Sequence, residues 1–490
     1  MTLLDGTVFA IYLAAAALLG GFLSRGKQSL GEYFLAGRAM NRWIVGLSVL
    51  AALFSGISYL AGPSEVYANG FAFAWVLFAF FIATPVTALI LLPHFYQSRY
   101  FTAYQILEER FSLPVRLLAS GMFILRVCLW LAAAMYAPAL ALEQATGLPL
   151  WFTIMATGIL TTIYTTAGGM KAVIWTDIMQ LAVLFGGQLL ISIMAAGKIP
   201  HGLVGVWETA VANDRFHLSF HVNLSERITF WGILIGAPVL LLVQMATDQV
   251  SVQRYLTAGS LREAQRALWI KLWFFVPIFM VFYGTGLVLY AFYKVKGDPL
   301  AAGLITKADQ ILPYFVVHEL PPGIPGLLIA AIFAASMSVV SSGLNSLTSA
   351  TMMDFWQNIS GPAAVEDSKA LWRARGVTVF YGILVTLLAF AIRAMPGNLV
   401  ESVNTIMGLF GGPMLGLFIL AMFTKRATPA GAVLGCLAGV VMLLLIFIMR
   451  DTWKISFLWY ALIGSLVTFV VGLVTSRPSM KPAVQVKNLP

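Results

Sequence analysis

Thirteen apolar stretches of about 20 residues recur along this chain with no polar domain between them, near 7–24, 43–69, 71–96, 117–143, 150–167, 172–197, 229–252, 272–293, 323–352, 374–394, 398–424, 427–449 and 455–476. A helix needs about 20 residues to cross a hydrocarbon core roughly 30 Å thick. Inside lipid every backbone N–H and C=O must be bonded within its own segment, which leaves the helix as the reading for runs of this length. The pattern predicts an all-α polytopic membrane protein, with about 13 transmembrane helices forming one transmembrane domain over residues 1–490. Composition closes off the soluble alternative: 60% of residues are hydrophobic and 10% charged, with a mean hydropathy of +0.88, whereas a soluble domain carries about 25% charge. The first run has no basic segment before it and no small-residue cleavage site after it, and it leads into SRGKQ at 24–28. It is expected to be a retained helix and not a secretory signal.

Cytoplasmic loops hold excess Lys and Arg. Of the 30 basic residues, 20 fall in one set of alternate connections and 9 in the other, with Arg126 read as the lone base inside a span. The bias predicts an outside N-terminus and a cytoplasmic C-terminus, and the short loops point to a bacterial inner (plasma) membrane. Lipid headgroups account for the net charge of +10, so no nucleic-acid partner is expected. Cys128 and Cys436 lie in apolar stretches and suggest no disulfide framework. His94, His201, His217, His221 and His318 fall in loops or at helix ends without metal-ligand spacing.

A carrier must expose polar backbone at mid-membrane, which lipid forbids unless protein encloses the break. The second run contains Ser55-Gly56, Ser58 and Gly62-Pro63. Unwinding near Phe54 to Gly56 would free carbonyls for a cation; the alternative is a small-residue packing face. In the ninth run Ser338, Ser341, Ser342 and Asn345 share one face at i, i+3, i+4 and i+7. Hydroxyls and carbonyls are hard ligands suited to an alkali cation, with interhelical hydrogen bonding as the alternative. Asp177 is one of very few acids near a span, for which a cation is the natural partner; an interfacial acid at a helix start is the competing reading. Arg126 has two readings, holding an anionic substrate or pairing structurally with an acid such as Asp248 or Glu143, and the structural one is the expectation.

With EYFLAGR at 32–38, the interrupted second run, GGMKAVIWTDIMQ at 168–180, TDQVSVQRYL at 247–256, the serine-rich ninth run and GGPMLGLF at 411–418, nearly the whole chain resembles the sodium/solute symporter family. LAGPSEVYANG at 60–70 and MYAPALALEQATGLPLW at 135–151 look closest to its iodide, monocarboxylate and multivitamin branch. The resemblance implies a leucine-transporter-type fold: an extra helix at 7–24, two inverted five-helix repeats over about 43–424, two further helices at 427–476 and a cytoplasmic tail at 477–490.

It also implies a main sodium site made of the carbonyls of Ala51, Phe54 and Ala335 with the hydroxyl of Ser338. Val339 stands where a further hydroxyl is usual. A second sodium site of some members maps to Asp177, Ser338, Ser341 and Ser342. Ser55, Ser58, Leu77, Trp130 and Gln244 correspond to solute-lining positions, joined by Phe54 and Tyr59. Leu77 and Trp130 replace the glutamine and arginine of sialic-acid members, which disfavours sialate. The implied activity is sodium-coupled import of a small organic solute, with a monocarboxylate or similar anion as the expected class, sodium as the coupling ion, no other metal and no cofactor. The oligomeric state is left open.

Two other readings compete. A carrier of the same fold coupled to protons, or uncoupled, is favoured by Val339; sugars, polyols and amino acids are alternative solutes. A sensor would need a signalling domain where about 14 residues follow the last run, and an enzyme would need a catalytic constellation that the motifs do not supply.

Overall fold

The computed structural model describes the chain except for residues 1, 24–28, 99, 362–366, 368, 393–398 and 477–490, and gives backbone alone at 23, 144–145 and 399–407. Arg25, Lys27, Arg99, Arg393 and the tail residues that enter the charge count above therefore lie outside the described residues. Among the described residues the regular elements are all helices. Among the described residues, nine helices are long and apolar enough to span a membrane, and two bent pairs bring the number to eleven.

The longest helix, Leu150–Ala196, has 47 residues, about 70 Å of helix and more than twice the hydrocarbon thickness. It is in fact two, joined at Gly169, whose φ of 57° and ψ of −151° are open essentially to glycine alone. This agrees with the separate runs at 150–167 and 172–197. A side chain at 169 would also stand 2.6 Å from the Tyr33 carbonyl oxygen. Gly169→Ala is therefore expected to cost about 1–3 kcal/mol in backbone strain, read as a lowered unfolding temperature in detergent.

The two bent pairs matter most. Arg42–Ala51 and Gly56–Asn69 meet at 64°, so the second run is broken where Ser55 and Gly56 suggest, and Gly232–Thr247 meets Gln249–Tyr255 at 59°. The second bend corrects the reading of 229–252 as one continuous helix. Asp248 causes it: its extended backbone and its carboxylate, which accepts from Val250 N–H at 2.9 Å, start a new helix inside an apolar run.

Leu261–Lys296 runs alongside the first broken pair in the same direction. Gly46 faces Ala267 and Ile270, Phe54 faces Phe275 and Phe282, and Tyr67 faces Tyr290 and Tyr293. This helix begins well before the apolar run at 272–293, because Arg262, Glu263 and Arg266 break the apolar criterion without breaking the helix. Ile324–Ala350 lies at the centre, with every residue from Leu328 to Ala350 buried.

Candidate functional site

At the first break the chain leaves helical pairing after Ala51 and resumes at Gly56, with Ser55 as the cap. Its hydroxyl accepts from Ser58 N–H at 3.2 Å. The Ala51 carbonyl accepts from Phe54 N–H at 3.1 Å, which leaves one oxygen lone pair free. Protein encloses the break. A Cβ on Gly56 would stand 2.5 Å from both Ser336 Oγ and Pro138 Cγ, so only glycine lets the broken pair reach the central helix this closely. Ala51, Phe54, Ala335, Ser338 and Val339 are all buried.

One helical turn away stands a bonded cluster. Asp177 and Arg254 are both fully buried. Asp177 Oδ1 accepts from Ser338 Oγ at 2.7 Å, and Oδ2 accepts from Ser48 Oγ at 2.7 Å and Arg254 Nη2 at 2.9 Å. Arg254 also donates through Nε to Ser48 Oγ at 3.0 Å, through Nη1 to the Val250 carbonyl at 2.7 Å, and to the Ser342 hydroxyl. Ser341 and Ser342 donate to the Ser338 carbonyl at 3.0 and 2.5 Å. The structure thus gathers Asp177, Ser338, Ser341 and Ser342, as expected, and adds Ser48 and Arg254. A cation is already bonded to this carboxylate, the Arg254 guanidinium on Oδ2, while Oδ1 faces the serines of the central helix.

The rest of the serine stripe hydrogen-bonds between helices. Gln253 donates to Asn345 Oδ1 at 2.7 Å and to the Phe34 carbonyl at 2.8 Å, and accepts from Ser346 at 2.9 Å. Gln249 donates to Ser349 Oγ at 3.2 Å and accepts from Ala103 N–H at 2.8 Å. These bonds explain TDQVSVQRYL physically: two amides and a guanidinium at i, i+4 and i+5 tie the helix after the second bend to the central helix and to EYFLAGR.

Arg126 Nη2 donates to Asp248 Oδ2 at 2.7 Å, the structural pairing expected of it. It is not the lone base within a span. Arg116, Arg254 and Lys271 are buried in helices too, although the charge count treated all three as loop residues. Arg116 pairs with Asp354. Lys271, fully buried, lies with its ammonium 3.4 Å from Met245 Sδ and 5.1 Å from the centre of the Phe80 ring.

Leu77, Trp130 and Gln244 are half-buried on three different helices. Among the described residues none makes a side-chain hydrogen bond or ring contact with Ser55 or Ser58, whose hydroxyls are 3.2 Å apart. Tyr59 is fully buried edge-on against Phe282, so it does not open onto a cavity. No group of three or more His, Cys, Asp or Glu able to hold a metal occurs among the described residues, and both cysteines are free and buried.

Comparison with known proteins gives this geometry a context. Residues 33–439 match the sodium:solute symporter family. Sodium-coupled monocarboxylate transporter 2 of Homo sapiens is 32% identical over 519 aligned residues, covering 96% of this chain and 83% of that protein. The sodium-dependent multivitamin transporter of Oryctolagus cuniculus is 34% identical, covering 90% and 70%. A solved outward-open, substrate-bound Na+-coupled sialic acid symporter superposes with a TM-score of 0.86 at 31% identity, over 97% of this chain and 98% of that one. Mhp1, a nucleobase-cation-symport-1 family transporter, shares the fold at a TM-score of 0.55 and 12% identity, over 90% and 93%. Homology across most of the chain, together with an enclosed helix break beside a hydroxyl-rich central helix, leads to one conclusion: this integral membrane protein is a sodium-coupled solute transporter and not an enzyme, and it belongs to the sodium:solute symporter family.

Proposed function

We propose that the chain imports a small monocarboxylate or similar anion together with sodium, by alternating access. The observation that carries this reading is the break at 52–55, held by Gly56 against Ser336 and close to a Ser338 hydroxyl that donates to buried Asp177. Because that hydroxyl donates its proton to the carboxylate, its lone pairs are left for a cation. The main sodium would sit among the carbonyls of Ala51, Phe54 and Ala335 and Ser338 Oγ. Val339 supplies no ligand there, which favours a weaker site completed by water.

A second sodium would use Asp177 Oδ1 with Ser338, Ser341 and Ser342, while Arg254 keeps Oδ2. The two bends open the first helices of the two proposed five-helix repeats, with the solute cavity between them bordered by Ser55, Ser58, Leu77, Trp130 and Gln244. Apolar Leu77 and Trp130 suit a small, partly apolar solute. The named activities of the monocarboxylate and multivitamin relatives support an anion of this kind. The proposed orientation keeps the N-terminus outside and the C-terminus in the cytoplasm.

Sodium bound at the break would hold it in the shape that receives solute, so ion and solute favour each other reciprocally. One charge crossing about 100 mV contributes about 2.3 kcal/mol and a tenfold sodium gradient about 1.4. With one sodium and one anion the electrical contribution cancels, leaving about tenfold accumulation. Two sodium ions restore one net charge, and accumulation then rises to several thousandfold, on the order of 5 kcal/mol.

The test is uptake of a solute panel into proteoliposomes under an inward sodium gradient against an equal potassium gradient. Short monocarboxylates are expected to accumulate with sodium alone; accumulation of a neutral sugar or amino acid in their place would overturn the solute reading.

A further inference from the structure

Four basic side chains are buried at 4% exposure or less among the described residues: Arg116, Arg126, Arg254 and Lys271. The three arginines each meet a buried carboxylate, Asp354, Asp248 and Asp177. Lys271 enters no ion pair among the described residues; its ammonium has a thioether and the face of a phenyl ring. A thioether is a weak acceptor, and an ammonium carries three donors. Such a charge inside a membrane protein is costly, and it points to a partner absent from the resting contacts.

The fold says where that partner arrives. Along Leu261–Lys296, Ala267 and Ile270 lie level with Gly46, and Phe275 lies level with Phe54, so Lys271 lies level with the stretch just before the first break. Met245, which caps the ammonium, follows Gln244 in a π-helical stretch, Val243–Thr247, ending at the second bend. Such irregular turns concentrate at functional sites. Phe80 completes the enclosure, 4.0 Å from Phe275, and the Phe275 ring lies 5.7 Å from Phe54. The charge therefore stands between the two helix breaks, against the Phe80 ring, which packs on Phe275 and through it on Phe54, and against a flexible methionine able to swing aside.

We infer that Lys271 is the residue that recognises the solute's carboxylate, replacing its Met245 and Phe80 contacts with the two oxygens of a short monocarboxylate whose apolar end packs among Phe54, Phe80 and Phe275. This rests on the monocarboxylate reading given above and assigns it a charge that the resemblance did not supply. A dicarboxylate is excluded because its second charge would be stranded among aromatic rings.

The experiment uses the full-length protein purified in detergent with saturating sodium. Binding of propanoate, lactate and pyruvate is titrated against propanamide, lactamide and succinate, for wild type, Lys271→Met, Lys271→Gln and Lys271→Arg. Sodium binding without solute serves as the check on folding. Wild type is expected to bind a monocarboxylate at least about tenfold more tightly than its amide, the scale of one charge-assisted hydrogen bond. Lys271→Met and Lys271→Gln are expected to lose that preference while sodium affinity is retained or tightened, and Lys271→Arg to keep it.

Equal binding of acid and amide by wild type overturns the inference, as does a neutral variant that binds both sodium and carboxylate within twofold of wild type. Failure of sodium coupling is read separately, as wild-type uptake that sodium does not stimulate in proteoliposomes.

Discussion

Asp177→Asn is expected to cost about 3–5 kcal/mol of stability, because it leaves the Arg254 guanidinium charged and uncompensated where both partners are fully buried. The remaining partners of Arg254, Ser48, Ser342 and the Val250 carbonyl, are neutral. Thermal unfolding in detergent reads this loss as a large fall in the transition temperature. Asp177→Asn combined with Arg254→Gln removes both charges and should recover much of it, since replacing a whole buried pair is often close to neutral. The double variant also separates two roles of the carboxylate. If Asp177 ligates a second sodium, sodium activation stays weak although stability returns. If it serves only as the counter-charge of Arg254, sodium activation recovers with stability.

Asp248 supports a comparable prediction by a different route. Its Oδ2 accepts from Arg126 at 2.7 Å and its Oδ1 caps the helix after the second bend. Asp248→Asn keeps a capping side chain and loses the charge, so it isolates the ion pair at about 3–5 kcal/mol. Asp248→Ala removes the cap as well and is expected to cost about 1 kcal/mol more. Because that helix carries Gln249, Gln253 and Arg254, both variants are also expected to slow sodium-driven uptake. Unfolding temperatures and initial uptake rates of the two variants, compared with wild type, check the order.

The spans were legible because a bilayer sets a minimum length for every apolar run, and Ser55-Gly56 marked the first break because small polar residues interrupt the run there, although a packing face would have read the same. The second break was passed over. Asp248 stands in the same position as an N-cap, but an apolar scan treats one acid as an interruption and not as the start of a helix. Lys271 was missed for a related reason: LREAQRALWIK keeps helical periodicity while its charges fail an apolar test, so the residue fell into a loop.

Asp177 and the serines stood out by residue type, yet the guanidinium on Asp177 was not foreseen, because Arg254 lies on another helix and only packing brings them together. The serine stripe looked like one site in sequence. In three dimensions its Ser338 end bonds Asp177, and its Asn345 to Ser349 end bonds glutamines.

The central claim is that sodium binds between the broken helix and Ser338. Its most direct measurement is equilibrium binding of radioactive sodium to purified wild type and Ser338→Ala, without solute. Because the alanine removes a ligating hydroxyl while Asp177 keeps Arg254 and Ser48, the account predicts a folded variant whose sodium affinity is at least about tenfold lower, the scale of one lost charge-assisted contact. A folded Ser338→Ala that binds sodium as tightly as wild type would contradict it.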